Sequence, residues 1–230
     1  MLFFGLISFV VAALFVLIQR DYKRLFAYSS VEHMGLAMVG FGVGGSLGVF
    51  GGLFHLLNHA LAKSLAFFSA GNVHRRFATR DIGEVRGLAH VQPVTAIGLL
   101  VAGLALVGMP PFSVFASEVM VVSALATQSF ASDTLHLGRF LTVIVDDHVR
   151  SLCIVALFLL FAVALFGGFT YRLASMIWGA APEGITRGEG WNIGHVPLIL
   201  TGLALMYLGV MLPAPIRLLL DHAVSVLVAR

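Results

Sequence analysis

An apolar segment from Gly51 to Ala70 carries three ionisable side chains, and this combination restricts the possible folds more than any other feature. His55, His59 and Lys63 are spaced four residues apart, so on an α-helix they lie along one face and rise about 12 Å. A lysine at bilayer depth costs roughly 2.5 to 3.5 kcal/mol on insertion scales. Because ionisable groups inside a membrane are functional by default, the pattern predicts an ion or proton path. The alternative is a structural role, in which neighbouring helices satisfy these side chains and fix the packing.

Composition supports a bilayer as the surroundings of this segment. The chain is 59% hydrophobic and 11% charged, with a mean hydropathy of +0.99, whereas about a quarter of the residues of a soluble domain are charged. These values predict an integral membrane protein of the all-α class. The net charge of +3 is concentrated in loops, where it bears on topology and does not indicate a nucleic-acid partner.

Hydropathy predicts a polytopic bundle of about six transmembrane helices. The first, Leu2 to Ile18, has no charge and is followed by a basic cluster, which is unlike a secretory signal. The remaining spans are expected at about Tyr28 to Val43, around Gly51 to Ala70, from Thr95 to about Ala126, at Leu152 to Phe169 and at about Val196 to Leu212. Polar stretches are expected from Gln128 to Arg150 and from Tyr171 to His195. We assign residues 1–215 to the bundle and residues 216–230 to an amphipathic tail along the interface.

The second predicted helix carries two adjacent titratable residues, Glu32 and His33, near its basic end. They either accept protons from the cytoplasm or are interfacial groups that reach water, and the sequence favours neither. The helix ends in Gly40 to Gly45, which fits the pattern G-x-G-x-x-G. No strand precedes these glycines and no ribose-binding acidic residue follows, so they indicate a turn between membrane helices.

The fourth apolar segment is too long for one straight span and is interrupted at Gly108-Met109-Pro110-Pro111-Phe112. Two successive prolines remove two backbone donors, which predicts a helix broken at Pro110-Pro111 within the membrane. Transporters place ion sites at such breaks, so the nearby Glu118 is a candidate site residue. The alternative is a turn between two short helices, with Glu118 solvated.

Charge placement predicts that the N-terminus lies outside the cell. In this scheme the outer segments hold only Arg139, Arg150, Arg217 and Arg230, and all other cations of the loops lie inside. The inner cations are Arg20, Lys23, Arg24, Arg75, Arg76, Arg80, Arg86, Arg172 and Arg187.

Three motifs occur in the order seen in one known family. They are the stretch from Gln19 to Ser30, the His55-x3-His59-x3-Lys63 pattern, and Gly108 to Phe112 followed by Ser117-Glu118. Together they resemble the second half of the antiporter-like subunits of respiratory complex I and membrane-bound hydrogenases. The Glu-His pair within Ser30 to Gly35 is most similar to component F of hydrogenase 4.

The resemblance implies a proton-translocating subunit of the bacterial or archaeal cytoplasmic (inner) membrane. Such a subunit has no redox centre, cofactor or metal of its own, and it works beside membrane and peripheral subunits of an NADH:quinone oxidoreductase or hydrogenase complex. The resemblance places His59 and Lys63 in the central relay and Glu118 near the exit, where its carboxylate is expected to act on Lys63. The family's first repeat has no counterpart here, so we expect either a fragment or a second chain that supplies it.

Two other functions stay open from the sequence. One is an intramembrane metal site formed by His55, His59 and Glu118, although Leu-Leu-Asn between the histidines differs from the H-E-x-x-H pattern and Lys63 would repel a cation. The other is a membrane scaffold without activity, because half of the channel is absent.

Overall fold

The computed structural model describes residues 1–127 and 147–229, the side chains of residues 147–152 excepted. Within these ranges the chain is all-helical, as the sequence predicts, and the predicted loop from Gln128 to Arg150 lies almost entirely outside them. The helices are α1 (Leu2–Ile18), α2 (Tyr22–Val43), α3 (Gly45–Phe77), α4 (Leu88–Val91), α5 (Pro93–Leu106), α6 (Ser113–Thr127), α7 (Asp147–Trp178), α8 (His195–Val210) and α9 (Ala214–Val228).

Helix α3 lies at the centre of the bundle and packs against α2, α5, α6, α8 and α9. Its 33 residues correspond to a length of about 50 Å. Between α2 and α3 the chain turns at Gly44 and Gly45, whose φ angles of 76° and 64° lie in the left-handed region that favours glycine. The predicted turn between two helices is present, but it is shorter than expected, because Gly40 and Gly42 lie within α2.

Helices α1 and α2 approach each other closely where two glycines face each other. A Cβ atom added at Gly35 would lie 2.7 Å from the carbonyl oxygen of Gly5 and 2.8 Å from the backbone nitrogen of Phe9. Small residues let membrane helices pack backbone against backbone in this way. The contact fixes the position of the α2 face that carries His33.

The basic loops meet at one end of the bundle. The backbone nitrogen of Tyr22 donates to the carbonyl of Arg80 at 3.1 Å, and the nitrogen of Ile82 donates to the carbonyl of Arg20 at 2.8 Å. Asp21 caps α2 by accepting hydrogen bonds from the backbone nitrogens of Lys23 and Arg24. The loops after α1 and after α3 are therefore joined on the same side of the bundle.

Helix α7 extends further than expected, because the segment from Tyr171 to Trp178 is helical. The predicted end of this helix at Phe169 was wrong, and the first eight residues of the stretch from Tyr171 to His195 belong to α7. Arg172 donates to the carbonyls of Gln19 and Leu17 at the end of α1. Carbonyls at a helix C-terminus lack partners within their own helix, so a charged residue is stabilised inside α7 by this contact.

The predicted break in the fourth apolar segment is present between α5 and α6. Gly108 has a φ of 65°, and Pro110 and Pro111 follow before α6 begins. Both helices pack against α3 and contact each other little, which favours one broken helix over a hairpin of adjacent arms. The end of α8 packs against the break, since a Cβ atom at Gly209 would lie 2.7 Å from the backbone nitrogen of Ser113.

Helix length and composition identify one clear membrane span among the described residues, Cys153–Trp178. The pair α8 and α9 reaches the required length only together, across a bend of 70°. Helices α1, α5 and α6 are apolar but shorter, so the expected number of about six spans stays a prediction. The outer surface carries exposed apolar side chains, such as Leu160 and Val163 on α7, that suit contact with lipid or another membrane helix.

Candidate functional site

The ionisable side chains of α3 lie inside the bundle, where the four-residue spacing predicts that they share a face. His55 is fully buried, and His59 and Lys63 are each 7% exposed. Asn58, between the two histidines, is also fully buried. Helices α2 and α6 both pack against α3 and supply the hydrogen-bond partners of this face.

A chain of hydrogen bonds joins the three helices through His55. Its Nε2 lies 3.0 Å from Nδ1 of His33 on α2, and its Nδ1 lies 3.0 Å from Oγ of Ser117 on α6. Asn58 donates from Nδ2 to the same Oγ at 3.3 Å and to the carbonyl of Ser113 at 2.9 Å. The ring of His59 lies beside that of His33, with 4.8 Å between the ring centroids.

The surroundings of the Ser117 hydroxyl favour one set of tautomers in this chain. The carbonyls of Val114, at 2.8 Å, and Ser113, at 3.5 Å, are both within reach of its proton, and donation to either makes its oxygen an acceptor towards Asn58 and His55. Neutral His55 then carries its proton on Nδ1, and its Nε2 accepts from Nδ1 of His33. The hydrogen bonds therefore run in one direction, from His33 through His55 to Ser117.

Lys63 is held at the α2 side of the same cluster. Its Nζ donates to the carbonyl of Phe26 and, at 2.5 Å, to Oγ of Ser29. The carboxylate that interacts electrostatically with Lys63 is Glu32, one turn further along α2. The hydrogen-bond partners of the lysine are thus Phe26 and Ser29, and among the described residues no ion pair within 4.0 Å joins it to Glu32.

Glu118 lies beside His33, and no hydrogen bond or ion pair within the described part of the chain joins it to Lys63. Oε1 of Glu118 is 4.0 Å from Nδ1 of His33. The carboxylate also packs on Gly108 in the break, where an added Cβ atom would clash with Oε2. The side chain is 20% exposed, so the break holds a carboxylate that is neither fully buried nor freely solvated.

Two cavities adjoin Glu118. A small one of about 20 Å³ is lined by Glu32, Glu118, Ser29 and apolar residues of α1, α5 and α7, and this volume suffices for one water molecule. A wider groove of about 360 Å³ lies between α6 and α7 and is also lined by Glu118. Glu118 is therefore in contact both with the interior polar cluster and with an open groove on the outer face.

The geometry offers one set of metal-compatible ligands among the described residues. One ligand atom each from His33, His55 and Glu118 lie within 4.8 Å of one another. This set contains His33 where the sequence-based alternative has His59. The two histidines already satisfy each other by a hydrogen bond, which favours proton exchange between them.

The structure brings together all six candidate residues of the sequence, namely His55, His59, Lys63, Glu118, Glu32 and His33. The polar partners Ser29, Asn58, Ser113 and Ser117 had not been identified as site residues, although each is a polar residue next to or within a recognised motif. The sequence signal that identifies them is a small polar residue within an apolar segment, because such a side chain needs a hydrogen-bond partner when it is buried.

A second polar cluster lies at the basic end of the bundle. Oε1 of Glu189 accepts hydrogen bonds from Thr95 Oγ1 at 2.6 Å and from Nε2 of His195 at 2.9 Å, and Oε2 accepts from the Thr95 backbone nitrogen at 3.0 Å. Burial alone would raise the pKa of the Glu189 carboxyl, but these hydrogen bonds favour the ionised form and hold the pKa below its usual range.

Comparison with known proteins places these features in a family context. Residues 1–144 match the family described as NADH:quinone oxidoreductase/Mrp antiporter, transmembrane. The hydrogenase-4 component F homolog of Methylacidiphilum infernorum is 45% identical over 125 residues, which cover 54% of this chain and 26% of that protein.

Two solved structures share the fold over nearly the whole chain. A chain of the membrane-bound sulfane sulfur reductase, an archaeal respiratory membrane complex, matches with a TM-score of 0.78 and 29% identity over 97% of this chain and 41% of its own. A chain of respiratory complex I from Thermus thermophilus matches with a TM-score of 0.77 and 26% identity over 99% and 44%. This chain spans about a quarter of the curated relative and less than half of each structural neighbour.

Proposed function

Because the chain belongs to the NADH:quinone oxidoreductase/Mrp antiporter transmembrane family, we propose that it is an antiporter-like subunit that moves protons within a respiratory or hydrogenase complex. The observation that carries this proposal is the buried hydrogen-bonded path from His33 through His55 to Ser117, with Glu118 and Lys63 at its two sides. Such a path costs stability in an apolar bundle, so its presence supports a functional role.

In the proposed mechanism the histidines exchange protons between two acidic groups. A proton that reaches the ring of His33 is passed either along the hydrogen bond to His55 or to Glu118, whose oxygen is 4.0 Å away. One water molecule fits in the cavity between Glu32 and Glu118 and would shorten the transfer between them. Glu32 and Lys63 form the opposite side of the relay, where a change in the charge of one alters the proton affinity of the other.

The proposed setting is the cytoplasmic membrane, with about six spans and the N-terminus outside. The arginine-rich loops meet at one end of the bundle, which supports an inner location for that end. We expect no redox centre in this chain, and other membrane and peripheral subunits would supply the energy. The part of the relatives that this chain does not cover would complete the proton path, on the same or another polypeptide.

Replacement of Lys63 tests the proposal. In the purified complex reconstituted in liposomes, Lys63→Ala should abolish redox-coupled proton translocation, measured with a pH-sensitive dye, while membrane insertion is kept. The matched control is Ser64→Ala, because among the described residues the hydroxyl of Ser64 donates only to the Ala60 carbonyl of its own helix. Undiminished translocation by the Lys63 variant would remove this residue from the path and would favour the scaffold alternative.

The carboxylate of Glu118 gives a second test of the relay. Glu118→Asp keeps the charge but withdraws it by one methylene, so partial translocation is expected, and Glu118→Gln should lose nearly all of it. If Glu118→Gln translocates protons at the normal rate, the carboxylate is not the group that continues the path from His33.

A further inference from the structure

Two cavities lie one after the other along α3. The first, of about 210 Å³, is at the basic end and is lined by Asn72, Arg75 and Arg76 of α3, by Gln92 and by the loop residues 188–190 and 192. The second, of about 330 Å³, is lined by apolar residues of α3, α5 and α8, among them Leu65 and Leu198. On α3, Leu65 precedes Asn72 by seven residues, a rise of about 10 Å. The polar pocket thus lies nearer the basic end of the bundle than the apolar groove.

The arginine side chains of the polar pocket are suited to bind an anion. Arg76 is held in place because its Nη2 donates to the carbonyl and hydroxyl oxygens of Thr186. Within the described part of the chain, no hydrogen bond or ion pair engages the guanidinium of Arg75. The acidic residue of the pocket, Glu189, is already engaged by Thr95 and His195. The pocket therefore has two cations and one carboxylate, whose oxygens are already hydrogen-bonded.

A buried acceptor in the same pocket restricts the ligand further. Gln92 is 8% exposed, and its Oε1 has no hydrogen-bond partner among the described residues. Its Nε2 donates to the backbone carbonyl of Asn72, so the amide orientation is set. A buried acceptor without a partner costs stability, and a ligand that donates a hydrogen bond at this point would remove the cost.

The apolar groove continues the pocket into the hydrophobic part of the bundle. Ile97 and Leu203 along it are 63% and 59% exposed, so the groove is open on the outer face. Gly202 widens it, because a Cβ atom there would meet its nearest neighbours only at 3.8 Å. An open apolar groove beneath a cationic pocket has the shape and polarity of a phospholipid.

We propose that the two cavities form a binding site for an anionic phospholipid of the phosphatidylglycerol type. The phosphate lies between Arg75 and Arg76, which are suited to phosphate oxygens, and a glycerol hydroxyl of the headgroup donates to Oε1 of Gln92. An acyl chain occupies the groove of α3, α5 and α8. A phosphatidylethanolamine headgroup fits less well, because the two arginines repel its ammonium group.

The site is tested by native mass spectrometry of the delipidated full chain in detergent, titrated with phosphatidylglycerol, phosphatidylethanolamine or inorganic phosphate. One phosphatidylglycerol per chain should bind at least tenfold more tightly than phosphatidylethanolamine. The double variant Arg75→Gln/Arg76→Gln should lose this preference, and the control Arg24→Gln, an exposed cation at the same end, should keep it. Gln92→Leu should weaken binding of phosphatidylglycerol without changing that of phosphatidylethanolamine.

The groove is tested separately from the pocket. Gly202→Leu should weaken binding of both lipids and leave their ratio unchanged, while Gly167→Leu on α7, where a Cβ atom would meet nothing within 4 Å, should have no effect. Equal binding of both lipids by all variants, displacement of lipid by inorganic phosphate alone, or a protein segment found in the groove would each overturn the proposal. The measurement does not depend on proton translocation, so its failure is separate from failure of the proposed function.

Discussion

Ser117 provides a sharp test of the relay, because its hydroxyl sets the direction of the hydrogen bonds. Replacing it with alanine removes the acceptor of both His55 Nδ1 and Asn58 Nδ2 in a fully buried site. Hydrogen bonds between membrane helices contribute about 0.6 kcal/mol on average and up to about 1.7 kcal/mol, so the loss of two costs about 1 to 3 kcal/mol. Only one of the two bonds orients His55, and since 1.4 kcal/mol is a factor of ten, its loss makes the correctly oriented state of His55 roughly 3 to 16 times less favoured.

The expected result is a fall in the proton-translocation rate of the reconstituted complex by about one order of magnitude. Ser117→Cys should give an intermediate rate, because sulfur is a weak acceptor. The matched control is Ser123→Ala on the same helix, at a residue that lines the outer groove between α6 and α7. A Ser117→Ala complex that assembles normally and translocates protons at the wild-type rate would refute the directional relay.

Three further predictions follow from the packing and electrostatics. Gly35→Ala should lower the midpoint of thermal unfolding in detergent, because overpacking against Gly5 and Phe9 costs about 1 to 3 kcal/mol, whereas Gly71→Ala, with open space around it, should not; equal midpoints would contradict the close helix contact. Gly108→Ala should impair translocation with helix content retained in circular dichroism, because the new Cβ atom meets the Glu118 carboxylate at a positive φ. The folded-state pKa of Glu189 is lowered, so its stabilisation is present above the unfolded-state pKa and lost as pH falls through the folded-state pKa. The difference in melting temperature between the wild type and Glu189→Gln should therefore shrink on acidification, and a difference that grows would reverse the assigned sign.

Much of the site is predictable from sequence because its spacing lies within single helices. His55, His59 and Lys63 share a face of α3 for geometrical reasons that hold for any helix. The break at Pro110 and Pro111 is equally local, since proline lacks the backbone donor that a helix needs. These features required no knowledge of how the helices pack.

The contacts between helices could not be predicted in the same way. Lys63 meets Ser29 and Phe26, while Glu118 meets His33, so the pairing of acidic and basic groups differs from the expected action of Glu118 on Lys63. Which residues face each other depends on the rotation and register of whole helices, and these depend on packing contacts such as that between Gly5 and Gly35. The length of α7 also depends on a contact between helices. Arg172, which donates to the end of α1, lies in the part of α7 that continues beyond the apolar run.

The break between α5 and α6 is joined to the polar cluster by direct contacts, so a movement of these helices can act on the relay. Asn58 ties α3 to the carbonyl of Ser113 at the start of α6, and Glu118 rests on Gly108 at the end of α5. The 4.0 Å between Glu118 and His33 exceeds a charge-assisted hydrogen bond of about 2.7 to 2.9 Å by little more than 1 Å. A small displacement of α6 relative to α2 therefore decides whether the carboxylate of Glu118 and the imidazole of His33 are bonded or apart. Because the groove between α6 and α7 lies open at this point, a neighbouring helix that presses on α6 would change that distance and so the proton affinity of the pair.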